Sequence, residues 1–325
     1  MWSEVVNGVD LLALVAAFGA LLQAGWLFAF HTETGSAAAA AQMHRRADGY
    51  FCIVLGLLTL TTAAALLARS ADISGLPWDR LGPVLPQVLG QTHFGRVWWL
   101  RAAVIVAIWI AWWALRALRR RRELVWFGVV CLLVQAWCWS VTAHPGDHGS
   151  FTLAVWVAVL HIFSAGLWGG SVLAVAVVAA PVGSHLEALG ADAVLGFVHR
   201  LSAISAVGLT LVVASGIFNA WSQLAHFSDF WTSAYGQVLD VKLAFVLMLV
   251  ALGTGNRFWR VPRVVRAYRT SSSSTSQASL KLQHRALRRL LAAVVWEAVV
   301  LLAIVAVVSV LVQSMPPADA QTMLH

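Results

Sequence analysis

Eight stretches of this chain are long and apolar enough to read as membrane-crossing helices: residues 9–30, 50–67, 97–115, 124–142, 151–180, 201–221, 236–254 and 290–312. About 20 mostly apolar residues cross a hydrocarbon core roughly 30 Å thick, and irregular backbone cannot face lipid because its N–H and C=O groups would go unpaired. Composition leaves no alternative solvent. With 60% of residues apolar and only 11% charged, a water-soluble globule would lack the polar surface to cover itself. The fold class expected is an all-α polytopic membrane protein with eight transmembrane helices.

Orientation follows from Lys and Arg, which short cytoplasmic loops retain and translocated loops rarely carry. After the third run come Arg116, Arg119, Arg120, Arg121 and Arg122, and nine more basic residues lie between Arg257 and Arg289. With Arg45, Arg46 and Arg200, one side holds 17 of the 22 basic residues. That side is expected to be cytoplasmic, so eight crossings place both termini in the periplasm of a bacterial inner membrane. The segment before the first run carries Glu4 and Asp10 without Lys or Arg, unlike a cleaved signal peptide, so the first helix is expected to be retained. The net charge of +8 then reflects topology and contact with membrane lipid, and no soluble basic surface exists to hold nucleic acid.

The chain reads as a single membrane domain, with residues 1–123 holding the first three spans and the basic loop, and residues 124–325 the rest. A weak internal repeat cuts it differently, into two parallel four-helix halves. Phe94-Gly95 precedes Arg101 by the same spacing that separates Tyr235-Gly236 from Lys242, and Trp26 and Trp168 fall within the first and fifth runs. Residues 271–279 form a Ser-rich linker, and residues 70–92 suggest an ordered surface loop or a short interfacial helix.

Neither a Walker loop nor a dinucleotide fingerprint nor a metalloprotease motif is present; no catalytic residue, and no enzyme, is expected. The chemistry rests on sparse metal-capable side chains. Cys131 and Cys138 lie two turns apart on the fourth run, which ends in His144-Pro145-Gly146-Asp147-His148. His161 follows about ten residues, or roughly 15 Å, into the fifth run, near the bilayer midplane. An imidazole there needs a partner, which is either a Ser, Thr or carbonyl of a neighbouring helix or a metal ion or proton. His144, His148, Cys138 and His161 are the candidate metal ligands, and imidazole with thiolate suits copper. His93, Met315 and His325 are further possible ligands on the same outer side, with Met323 in the same tail. Each also has a bland reading, as loop polarity, tail or apolar packing. Asp10, Arg101, Asp240 and Lys242 are charges expected within or at the ends of spans, either pairing or snorkelling to headgroups, and Glu297 is a buried carboxylate that would bond a neighbouring helix or mark an inner exit.

The segment Leu160-His161-Ile162-Phe163-Ser164-Ala165-Gly166-Leu167-Trp168-Gly169-Gly170 resembles the signature of the copper resistance protein D (CopD) family. Residues 230–256, with Tyr235-Gly236, Lys242 and Asn256-Arg257, and residues 92–101 resemble two other segments of that family. The resemblance implies bacterial inner-membrane copper transport and copper resistance, with import from the periplasm and delivery by a separate copper-binding protein of the copper resistance protein C (CopC) type. Copper is then the bound or transported ion and no haem is expected. A di-haem b-type cytochrome and a copper-binding membrane sensor or assembly protein stay open as alternatives. The cytochrome needs two facing histidines per haem at matched depth, and only His161 lies clearly mid-membrane.

Overall fold

The computed structural model describes residues 2–27, 36–118, 120–147, 149–223, 234–270 and 276–311. Every long element among them is a helix. In chain order these are α1 (Trp2–Leu22), α2 (Ala37–Ser74), α3 (Leu85–Gln91), α4 (His93–Ala117), α5 (Arg121–Val141), α6 (Leu153–Ala165), α7 (Ser171–Val178), α8 (Gly183–Glu187), α9 (Ala191–Gln223), α10 (Ala234–Gly255), α11 (Val261–Thr270) and α12 (Gln277–Leu311). Seven spans among the described residues are long and apolar enough to cross a membrane. The run expected as the eighth, residues 290–312, lies on α12, whose last described residue is Leu311.

Several helices outrun the apolar stretches that announced them. α2 begins thirteen residues before the second run because Ala37 to Ala41 propagate a helix readily and the Ser36 hydroxyl caps it, accepting from the Ala39 N–H at 3.2 Å. It ends at Gly75, whose φ of 67° is left-handed and whose N–H reaches the Ala71 carbonyl at 2.8 Å. Thr92 caps α4 and Thr152 caps α6 in the same way as Ser36. Residues 70–92, expected as an ordered surface loop or a short interfacial helix, are largely helical, with a short turn at Trp78–Arg80 followed by the short helix α3. On the basic side, Val261–Thr270 is the helix α11, with Val264, Ala267 and Tyr268 buried on one stripe.

Burial has the polarity of a membrane protein. Ile53, Leu60, Ile110, Trp113 and Leu247 are exposed on the outside, while Asp10, Arg101, Gln135 and Glu297 are buried within. α1 is the hub, packing on α2, α5, α7 and α12, with Leu14, Phe18 and Leu21 fully enclosed. Its tightest contact is with the turn joining α6 to α7: a Cβ on Gly19 would lie 1.9 Å from the Gly170 carbonyl carbon, and one on Gly170 would lie 2.2 Å from the Val15 oxygen. Backbone meets backbone there, as small residues permit between helices in lipid.

Three helices widen into π-turns, at Gln23–Leu27 after α1, Gly166–Gly170 between α6 and α7, and Asn256–Arg260 between α10 and α11. Such one-residue insertions cluster at functional sites.

Candidate functional site

In the first half, four helices converge on one guanidinium. Arg101 of α4 donates through Nη2 to Asp10 Oδ2 at 2.7 Å and to Thr62 Oγ1 at 3.3 Å, and through Nε to Gln135 Oε1 at 3.1 Å. Gln135 returns a bond from Nε2 to the Arg101 carbonyl at 2.7 Å, and Thr61 donates to Asp10 Oδ1 at 2.8 Å. α1, α2, α4 and α5 are therefore tied at one point, and Asp10 and Arg101 are only 1% and 4% exposed. Cys138 sits one turn beyond Gln135, fully enclosed among Val97, Val141 and Val155.

In the second half, His161 lies on α6 eight residues, roughly 12 Å, past its start. Its Nδ1 is 3.0 Å from the Ser215 hydroxyl of α9. That hydroxyl also lies 2.6 Å from the Leu211 carbonyl, so α9 backbone, hydroxyl and ring form one chain of polar contacts. The bond sets the ring against α9, and which ring nitrogen carries the proton depends on the tautomer. Gly216 lets α9 come close, since a Cβ there would lie 3.3 Å from the His161 Cε1.

These two polar points hold matching positions. Asp10 precedes Gly19 by nine residues and His161 precedes Gly170 by nine, and those glycines are the pair in contact. Each bonds a hydroxyl of the long helix that follows, Thr61 on α2 or Ser215 on α9.

At the basic end, Asn256 opens the third π-turn, accepting from Arg260 Nη1 at 2.9 Å and donating from its amide to the Glu297 carboxylate. Arg257 donates to the Ser202 carbonyl and hydroxyl, each at 3.0 Å. A cavity of about 240 Å³ lies here, with Trp168, Ser202, Thr254, Asn256 and Glu297 on its wall. Closer to the surface, Asp48 accepts from Arg121 at 3.1 Å and pairs with Arg116 at 3.4 Å.

The other residues singled out from sequence do not join these groups. His93 is exposed at the start of α4, and Asp240 is exposed on α10. Lys242 lies on α10 and His144 opens a short turn, His144–Gly146, but the side chains of both fall outside the description. His148, Met315, Met323 and His325 lie outside the described residues. Among the described residues no three His, Cys, Asp or Glu side chains come close enough together to hold a metal ion. Sequence reasoning did not single out Thr61, Thr62, Gln135 and Ser215, the hydrogen-bond partners of the buried polar groups. Gln135 carried a readable signal, as the only amide in its apolar run.

Two family models match the chain. "Copper resistance protein D-like, N-terminal domain" covers residues 5–149, and "Copper resistance protein D" covers residues 195–311. The chain belongs to the CopD family. It is 28% identical to copper resistance protein D of Pseudomonas syringae pv. tomato over 236 residues, covering 70% of this chain and 73% of that one. It is 25% identical to the inner membrane protein YebZ of Escherichia coli over 210 residues, covering 63% of this chain and 69% of that one. No solved structure matches the chain. The N-terminal model holds Asp10, Arg101 and Gln135, the CopD model holds Ser215, Asn256 and Glu297, and His161 falls between the two. This is thus a helical membrane protein of a copper resistance family.

Proposed function

We propose that this CopD-family chain moves copper across the bacterial inner membrane, from the periplasm to the cytoplasm, accepting the ion from a periplasmic protein of the CopC type. Both termini then lie in the periplasm. The observation that carries the reading is the match to the copper resistance protein D models, with His161, whose Nδ1 meets the Ser215 hydroxyl, as the candidate donor between the two matched segments. A metal-binding histidine commonly donates its second ring N–H to a neighbour, which sets the tautomer and aims the other nitrogen at the metal. Imidazole nitrogen is a good copper donor.

His144 and His148 collect the ion in this reading, Cys138 and His161 pass it on, and it leaves near Glu297. Conduction favours weak successive sites, because a closed cage of ligands would retain the ion.

The test is copper accumulation in cells expressing His161→Ala, with membrane-inserted protein quantified in parallel. Uptake falls to the level of cells lacking the protein while insertion is unchanged; wild-type uptake by this variant removes His161 from the route. Ser215→Ala leaves the ring in place but frees its orientation, so copper affinity drops about 10- to 100-fold, the usual cost of losing such a supporting bond.

A further inference from the structure

On the outer face of α10, a groove of about 310 Å³ runs past Met248, Ala251 and Leu252 to Trp259, Arg260 and Arg263. Its two ends differ in chemistry, and the helix that carries it sets the depth of each. From Gly236 to Gly255 is nineteen residues, or roughly 28 Å of helix, which carries Gly255 across most of a hydrocarbon core. Met248 and Ala251 therefore lie among acyl chains, and Arg260 and Arg263 lie at phosphate level. Trp259 and the neighbouring Phe258 are 66% and 65% exposed, at the depth where interfacial aromatic residues gather.

The π-turn builds the polar end. With no side chain at Gly255, Arg260 and Trp259 fold over it, since a Cβ there would lie 3.4 Å from both Arg260 Nη1 and Trp259 Cε3. Arg260 spends one Nη1 bond on Asn256, and a guanidinium has five donors. Arg263 is exposed one turn further along. Two guanidiniums above an apolar groove match a phosphate above an acyl chain.

The geometry points to this groove as a specific site for an anionic phospholipid of the leaflet on the basic side, with its phosphate on Arg260 and Arg263 and one acyl chain along Ala251 and Met248. Such a lipid reaches the interior through one residue. Arg260 holds the Asn256 amide in the orientation that donates to Glu297, so the bound phosphate steadies the wall of the inner cavity. A free anion would need only the arginines. The apolar half of the groove is what selects a lipid.

Native mass spectrometry of the full-length, delipidated protein titrated with phosphatidylglycerol or phosphatidylcholine tests the assignment without reference to copper. Wild type retains phosphatidylglycerol at least about fivefold more tightly, the scale expected of one basic residue near an anionic headgroup. Arg263→Gln removes the headgroup contact and Ala251→Trp fills the groove with both arginines intact; each abolishes the preference. Arg266→Gln, exposed on α11 but off the groove, keeps it. Retention of the preference by Arg263→Gln or by Ala251→Trp overturns the site, and its loss in Arg266→Gln reduces the effect to general surface charge and overturns it equally.

Discussion

Arg101 is held from three sides, and each partner removes a different cost of keeping a charge out of water. Asp10 neutralises it, while Thr62 and Gln135 accept from N–H groups that would otherwise face hydrocarbon. Breaking a buried pair from one side leaves an unmatched ion and costs about 3–5 kcal/mol, whereas replacing both partners with apolar groups is often close to neutral. Arg101→Leu and Asp10→Leu should therefore each lower the thermal unfolding midpoint in detergent markedly, and the double variant should lie nearer the wild type than either single one. If the two effects simply add, the pair does not act as a unit. Asp10, Arg101 and His161 drew attention in the sequence because a charge or an imidazole within an apolar run must find company. Their partners did not, because Thr and Ser in a lipid-facing helix can bond the carbonyl one turn back, as Thr59 does to Leu55. Nothing along the chain shows which of them sits at the right depth on a neighbouring helix.

Helix existence was plain from hydropathy, but helix ends and contacts were not. The extensions of α2 and α11 follow local rules of capping and amphipathic spacing, which a count of apolar residues passes over. The α1 contact at Gly19 was also hidden, because a glycine in a helix looks the same whether it faces lipid or another backbone. The two cases separate by substitution. Gly19→Ala puts a methyl group into the Gly170 carbonyl, where neither backbone can yield, so the variant should fail to yield a monodisperse protein. Gly56→Ala on α2 meets nothing within 4 Å and should hold or raise the unfolding midpoint, since alanine is about 0.5–1 kcal/mol better than glycine inside a helix. Equal behaviour of the two variants in size-exclusion chromatography would show that the close crossing is not needed for assembly.

For the whole molecule, hydropathy and charge govern how the chain is threaded, while close glycine contacts govern how its helices are joined. α1 meets the turn joining α6 to α7 at Gly19 and Gly170, and the polar points nine residues before those glycines differ in kind: a sealed ion pair at Asp10 and an imidazole on a hydroxyl at His161. The threading makes its own forecast. The proposed topology, with eight crossings and the arginines inside, predicts that alkaline phosphatase fused after His325 is active and that a fluorescent protein fused there and exported through the general secretory route is dark. The opposite result would mean an odd number of crossings. The turn at Asn256–Arg260 also has a geometric effect beyond its own residues. It carries one residue more than the pitch of the helix accounts for, and each residue is about 100° of rotation. Deleting that surplus residue would swing everything downstream by more than a quarter-circle, rolling Val264, Ala267 and Tyr268 out towards water and the arginines in towards the bundle. The extra residue works as a phase correction, and the whole basic arm of the protein is clocked by it.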